Sequence, residues 1–367
     1  ILIRALGIEE KEKTASDYLE SAKIHRLIKV SSQLNETVTA EDMEVILKNA
    51  KQYKGIDDKG VSEISVEDFM KNPGDFGYEM SPDGEYISYS SEWEGRMNVF
   101  VKKMHGEDEP IRVTSSKDRD VAASFWKDDN ILYVKDNGGD ENYHIYSSEF
   151  NGQKERDLTP YPGVRVEMIS NLTGVKDEIL IGMNKENPTV FDVYRLNIKT
   201  GDLEHVAKNP GNIAGWLADH DGKIRIALES DGVDSTVLYR ETEKDVFKPL
   251  VQTEKGDMIS PIAFSKDNQS IYALSNKDRD KTELVVLDLK ANEKVIHSNP
   301  QVDILGAVYD PVKDAILASV YMTDKIHYEF FDKELENIFN DLKEKLNVDE
   351  SQLSIEDYNK EMSKFIV

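Results

Sequence analysis

The chain contains no cysteine. That excludes disulfides, a thiol nucleophile and thiolate metal sites, but it leaves the compartment open, because many bacterial surface proteins also lack cysteine. No apolar run approaches the roughly 18 residues that a membrane span requires, and no signal-peptide pattern is present. Basic residues are scarce: 46 Lys and Arg stand against 71 Asp and Glu, a formal net charge of −25. Phosphate binding needs a basic surface, and no Lys/Arg cluster supplies one, so nucleic acid is not an expected partner. Methionine is missing from position 1, where Ile1 stands, and further residues are therefore expected to precede it in the native chain. Hydrophobic residues make up only 39% of the 367, with 16 Tyr and 12 Phe among them. Such a balance suits many short strands better than long buried helices.

What is present is a repeat. The stretch from Ser81 to Lys103, SPDGEYISYSSEWEGRMNVFVKK, reads as a turn, an alternating run, a polar break and a second alternating run. This is the pattern of a half-buried antiparallel hairpin. The same turn and strand return around Asp129, Asp177, Asp221, Asp267, Lys313 and Asn359, at steps from Asp83 of 46, 48, 44, 46, 46 and 46 residues. A second register agrees, in the runs RMNVFVKKMHGE, ENYHIYSSEFNGQ, VFDVYRLNIKTGD, DSTVLYRETEKDV, KTELVVLDLKANE and IHYEFFDKELEN. A unit of this length with about four strands has the period of a propeller blade. The expectation is a mainly β fold: six nearly complete blades of a seven-bladed propeller over residues 61–367, with the seventh broken off about two strands in. A ring lacking two strands is expected to be open, less stable, or prone to self-association.

Residues 1–60 stand outside the repeat. Tyr18, Leu19, Ala22, Leu27 and Ile28 fit one helical face, and Met43, Ile46, Leu47 and Ala50 fit another. Thr39 and Asp42 resemble a capping box at the start of the second helix. The wording of this segment, RALGI from Arg4 to Ile8, then DYLESAKIHRLIKV and VTAEDMEVILKNA, resembles a worn S-layer homology repeat, the bacterial wall-anchoring module. That likeness implies a cell-wall polysaccharide as partner and a cell-surface or secreted location. Where that family carries Thr-Arg-Ala-Glu, however, this chain reads Thr39-Ala40-Glu41-Asp42. Without the arginine there is no cation to pair with an acidic glycan, so a helical spacer is the simpler reading.

From about Glu67 to Val367 the wording resembles the propeller of the prolyl oligopeptidase family of serine peptidases, on its acylaminoacyl-peptidase or dipeptidyl-aminopeptidase side. The phrases that carry the likeness include DFMKNPGDFGYEMSPDGEYISYSSEWEGRMNVFV, DNGGDENYHIY, RDLTPYPGVR and ALSNKDRDKTELV. The resemblance implies a seven-bladed propeller that covers an α/β-hydrolase domain and screens peptides by size, in relatives that are often cytoplasmic. The hydrolase itself is not here. No G-x-S-x-G elbow occurs in the chain, and no alternation of strands and helices could build its sheet. No catalytic residue, cofactor or metal is therefore expected, and no peptidase activity from these residues alone. Three roles stay open: the substrate-selecting propeller of a serine peptidase, a cell-surface binding propeller without an enzyme, and an interaction scaffold.

Several constellations resemble chemistry. DNGGDENYHIY places Asp136, Asp140, Glu141, Asn142 and His144 within nine residues. Strand alternation would send Asn142 and His144 to one side and Tyr143 to the other. Turn hydrogen bonding, a peptide channel or hydrolase-docking surface, and a metal site are the readings weighed, in that order. Asp118-Arg119-Asp120 recurs as Asp278-Arg279-Asp280. Arg119 and Arg279 could bridge neighbouring blades through bidentate carboxylate pairing, or grip a substrate carboxylate. Asp219-His220-Asp221-Gly222 has the acidity of a calcium loop but falls on a hairpin turn and lacks the further oxygen ligands. Leu335, Ile338, Phe339, Leu342 and Leu346 form one helical stripe, expected as a helix decorating the sixth blade.

Overall fold

The computed structural model describes residues 74–254 and 256–367, with Val45, Ile46 and Lys48 before them. The chain divides into two compact units, Ile1–Pro73 and Gly74–Val367. In the first, Val45, Ile46 and Lys48 are helical; the rest of the helical reading, and the wall-module likeness, lie outside the described residues.

The second unit is a seven-bladed β-propeller. Blade 1 holds β1 (Phe76–Met80), β2 (Tyr86–Trp93), β3 (Arg96–Lys103) and β4 (Ile111–Arg112). Blade 2 holds β5 (Ala123–Lys127), β6 (Asn130–Lys135), β7 (His144–Glu149) and β8 (Arg156–Asp157). Blade 3 follows as β9 (Val166–Ser170), β10 (Glu178–Met183), β11 (Asp192–Asn197) and β12 (Leu203–Ala207). Blade 4 is β13 (Ile213–Ala218), β14 (Ile224–Ser230), β15 (Ser235–Tyr239) and β16 (Lys248–Gln252). Blade 5 is β17 (Ile259–Phe264), β18 (Ser270–Ser275), β19 (Glu283–Asp288) and β20 (Glu293–His297). Blade 6 has only β21 (Ile304–Asp310), β22 (Ala315–Met322) and β23 (Ile326–Phe330), and blade 7 only β24 (Asp357–Tyr358) and β25 (Phe365–Ile366). Every pairing is antiparallel between consecutive strands. Among the described residues no helix is long and apolar enough to cross a membrane.

Both faces of a blade are covered by its neighbours, so the middle strands lose the simple alternation of a half-buried sheet. In β10, Ile179, Leu180, Ile181 and Met183 are all fully buried. Ile179 and Ile181 pack with Leu132 and Ile145 of blade 2, while Leu180 faces Ile224 of blade 4. Other interfaces are built alike: Val99 and Val101 on Ile131 and Tyr133, Val237 on Ile271 and Val285, Leu284 on Ile304 and Ile316. Polar ties cross them too. Arg195 of blade 3 is clamped by Glu204 and Glu243, each at 2.9 Å, and donates to the Gly222 carbonyl of blade 4 at 2.7 Å.

The repeated turn has a repeated chemistry. Asp83 accepts from Ser81 Oγ at 2.6 Å and from the Glu85 N–H at 3.0 Å. Asp267 accepts in the same way from Ser265 Oγ at 2.7 Å and the Gln269 N–H at 3.1 Å. Asp219 instead takes the Asp221 and Lys223 N–H groups at 3.1 and 2.9 Å, which makes its acidic tetrapeptide a turn. Between β2 and β3 the polar break narrows to Glu94 and Gly95, with φ of 51° and 78°, a two-residue hairpin link.

Two expectations need correction at the end of the ring. The sixth unit does not close on a fourth strand: Asp332 caps a helix, α1 (Lys333–Leu346), by accepting the Leu335 N–H at 2.9 Å. Leu335 and Phe339 of its stripe are buried, but Leu346 is half exposed, because the helix ends there at Asn347 in the left-handed region. Nor is the ring open. Blade 7 packs Met362, Tyr358 and Phe365 against Leu317 of blade 6, and β24 and β25 both touch β1. On that side the Met80 N–H donates to Asp357 Oδ2 at 2.7 Å, and Lys364 Nζ to the Gly84 carbonyl at 2.7 Å. Gly84, at φ +69°, lies so close to Asn359 that a Cβ would sit 2.9 Å from that residue's own.

Candidate functional site

The sequence-predicted residues gather on the face that carries the loops after each blade's second strand. Arg119 Nε pairs with Asp136 Oδ1 at 2.8 Å, and Asp136 is almost fully buried. The other oxygen of Asp136 accepts the Glu141 N–H at 3.2 Å. Gly139, at φ +88°, makes room for the guanidinium, since a Cβ there would lie 3.3 Å from Arg119 Nη1. Asp140 accepts from the Asn142 side chain at 3.2 Å and its N–H at 3.1 Å, and these bonds hold its carboxyl below the usual range. Strand alternation does not reach Asn142, because β7 begins at His144. His144 turns instead to Asp157 of β8, Nδ1 to Oδ2 at 2.8 Å.

Arg119 therefore joins Asp136, Asp140, Glu141 and Asn142 in one loop corner, with His144 beside it in the same sheet. Arg279 belongs elsewhere, pairing with Glu283 and Glu293 of blade 5. Bridging between blades, or gripping a substrate carboxylate, is the sequence reading for both arginines. Arg279 pairs inside blade 5. Arg119 instead lies on the connection from blade 1 to blade 2, next to Asp120, which accepts the Met97 N–H of blade 1 at 2.9 Å, and its pair with Asp136 ties that connection to blade 2.

Sequence reasoning missed the opposite face, where the inner strands end at their turns. There a cavity of about 970 Å³ is lined by Glu79, Trp126, Lys127, Asp310, Asp357 and Tyr358, among others. Glu79 is the last residue but one of β1 and Asp357 opens β24, so the seam between first and last blade puts both residues on the lining of one cavity. Burial pushes Glu79 up to about 7, the Asp357 charge pushes in the same direction, and the Trp126 amide opposes both. Asp357 is also raised by burial, against the N–H groups of Met80 and Tyr358. Lys127, buried and lowered by that burial, is engaged on blade 3: its ammonium donates to the carbonyls of Asn171, Leu172 and Val175 at 2.7, 2.8 and 2.6 Å.

A signal for this site does exist. Four residues before each aligned turn position stand Glu79, Phe125, Thr173, Leu217, Ala263, Tyr309 and Ile355. Glu79 is the one acid in a register that is otherwise uncharged. Ser81 of its lining donates from Oγ to Asp83 at 2.6 Å, but this hydroxyl belongs to the blade 1 turn, where it also accepts the Tyr86 N–H at 2.9 Å. Elsewhere Ser319 Oγ does meet His297 Nδ1, at 2.6 Å. Ser319 is fully buried in β22, where no substrate reaches it. Among the described residues no group of three His, Asp or Glu is arranged to hold a metal.

With 25% identity over 264 residues, the chain matches Dipeptidyl aminopeptidase BIII of Pseudoxanthomonas mexicana across 71% of its own length and 38% of that protein. The chain resembles dipeptidyl peptidases. Dipeptidyl peptidase family member 6 of Caenorhabditis elegans is likewise 25% identical, over 278 residues, covering 70% of this chain and 37% of that one. The chain thus spans under two fifths of the length of these relatives. A crystal structure of puromycin hydrolase shares the fold at a TM-score of 0.52 and 13% identity, over 75% of this chain and 48% of that one. No family model matches the chain, so the wall-anchoring likeness of its first residues gains no support.

Proposed function

We propose that this chain is the non-catalytic propeller of a serine peptidase acting on short peptides, and that it admits and selects substrates for a hydrolase domain outside these residues. The observation that carries this reading is the likeness over 264 residues to a dipeptidyl aminopeptidase of which the chain spans only 38%. The rest of such a relative leaves room for the catalytic domain that this sequence lacks. The size of the cavity supports the reading, since roughly 300–1,000 Å³ is the usual range for sites that enclose small ligands. On the opposite face, Arg119, Asp140, Glu141, Asn142, His144 and Arg279 are the residues we assign to the channel or to docking against the hydrolase. The Arg119–Asp136 pair and the Asp140–Asn142 turn pre-order that loop, which lowers what a contact there would lose in freedom.

The test is to express the chain together with the coding sequence downstream of Val367. A fluorophosphonate probe is expected to label a serine in the extended protein, which should cleave dipeptidyl chromogenic substrates, while the 367-residue chain does neither. A stop codon directly after Val367, or an extended chain that takes no label, would overturn the proposal.

A further inference from the structure

We propose that Asn137 is a site of spontaneous deamidation, whose aspartyl and isoaspartyl products remodel the corner that holds Arg119. The chain carries two Asn-Gly pairs, Asn137-Gly138 and Asn151-Gly152, and the fold treats them oppositely. Asparagine before glycine is the most labile setting for this reaction, because glycine has no Cβ to hinder its own amide nitrogen. That nitrogen is already bonded to the asparagine's carbonyl carbon. Closing the five-membered ring therefore needs only rotation within one residue and freedom from competing bonds.

Asn137 has that freedom. Asn137, Gly138 and Gly139 are exposed, and among the described residues neither the Asn137 side chain nor the Gly138 N–H has a hydrogen-bond partner. Gly138 sits at φ +66°, with nothing within 4 Å of the place a Cβ would occupy. Asn151 is pinned instead. Its Oδ1 accepts the Gln153 N–H at 2.9 Å, its Nδ2 donates to Glu149 Oε2 at 3.5 Å, and the Gly152 N–H is donated to the Glu149 carbonyl at 2.8 Å. Gly152 is also wedged, since a Cβ there would lie 3.0 Å from the Arg112 carbonyl oxygen.

The Gly138 nitrogen, on losing its proton to solvent base, attacks Asn137 Cγ: the N–Cγ bond forms, the Cγ–Nδ2 bond breaks, and ammonia leaves with a proton returned by solvent. Water then opens the succinimide at either carbonyl, giving aspartate or isoaspartate, so one water is consumed and one ammonia released. Either product adds a carboxylate to a corner that already holds Asp136, Asp140 and Glu141. The isoaspartyl form also threads a Cβ into the main chain directly after Asp136, whose two oxygens hold Arg119 Nε at 2.8 Å and the Glu141 N–H at 3.2 Å. It shifts Gly139 as well, where the guanidinium lies 3.3 Å from the place of a Cβ. The reaction needs water and no hydrolase domain, so its failure and that of the peptidase reading are separate.

Peptide mapping of the 367-residue chain after storage at mildly alkaline pH tests it, with isoaspartyl methyltransferase labelling to identify the isoaspartyl product. Asn137 is expected to convert about tenfold or more faster than Asn151, because the second site must first give up its hydrogen bonds. In urea, where those bonds are gone, the two rates should come together. In the deamidated fraction, hydrogen-exchange protection of the Glu141 amide should fall by about threefold or more, while stored Asn137→Gln keeps it. An unmodified Asn137, equal conversion of the two sites in the folded chain, or a difference that persists in urea would overturn the site. Unchanged Glu141 protection in the deamidated fraction, or the same loss in Asn137→Gln, would overturn the remodelling.

Discussion

At the scale of single residues, burial decides which charges matter. Lys127 is 3% exposed, and all three of its donors meet blade 3 carbonyls, so its removal leaves three buried acceptors to find other partners. Lys127→Met is expected to destabilise the propeller by about 3 kcal/mol, read as a lower urea midpoint. The Lys333–Glu336 pair on α1 is short but its lysine is exposed, and its loss should leave the same midpoint essentially unchanged. Charge in a sequence does not distinguish these two lysines, because both sit among acidic neighbours. What separates them is whether a second sheet covers the side chain.

At the scale of elements, the turns and middle strands follow local rules, and the sixth blade shows where a different local rule prevails. Asp332 stands where a fourth strand could begin, but its carboxyl accepts the Leu335 N–H and pairs with Lys313 at 2.9 Å. Burial pulls that carboxyl upward, while the amide bond and the lysine outweigh it and leave it below the usual range. Stability held by this cap is therefore present above the ordinary carboxylate range and lost as pH falls through the lowered value. Asp332→Ala is expected to cost about 1 kcal/mol in thermal unfolding at neutral pH, with a smaller difference in acid. An equal difference at both pH values would show that the carboxylate is not the cap. The amphipathic stripe was legible as helix, but that helix could stand in place of a strand only because Leu335 and Phe339 find a face to bury against.

At the scale of the whole molecule, β24 and β25 bring the chain back against β1. Removing residues 357–367 would bare the edge of β1 and the apolar cluster around Leu317 and Leu335, surfaces that pair readily with other chains. The truncated protein is expected to self-associate in light scattering, while the full 367-residue chain stays smaller and monodisperse. A truncated protein of unchanged size would mean that two short strands contribute nothing to closure.

The sequence by itself determined the period, the turns, the middle strands of each blade and the absence of a catalytic elbow, because each is written in residues close together along the chain. Periodicity and turn chemistry are local, and they repeat. Only the tertiary structure decided which charges meet. The residues of DNGGDENYHIY, which look like a site on paper, are largely occupied with one another and with Arg119 in a single loop. Met80 and Asp357, 277 positions apart, are bonded because a ring brings its last element back to its first. Closure also puts Glu79 and Asp357 on the lining of one cavity, and no spacing along the chain encodes that juxtaposition.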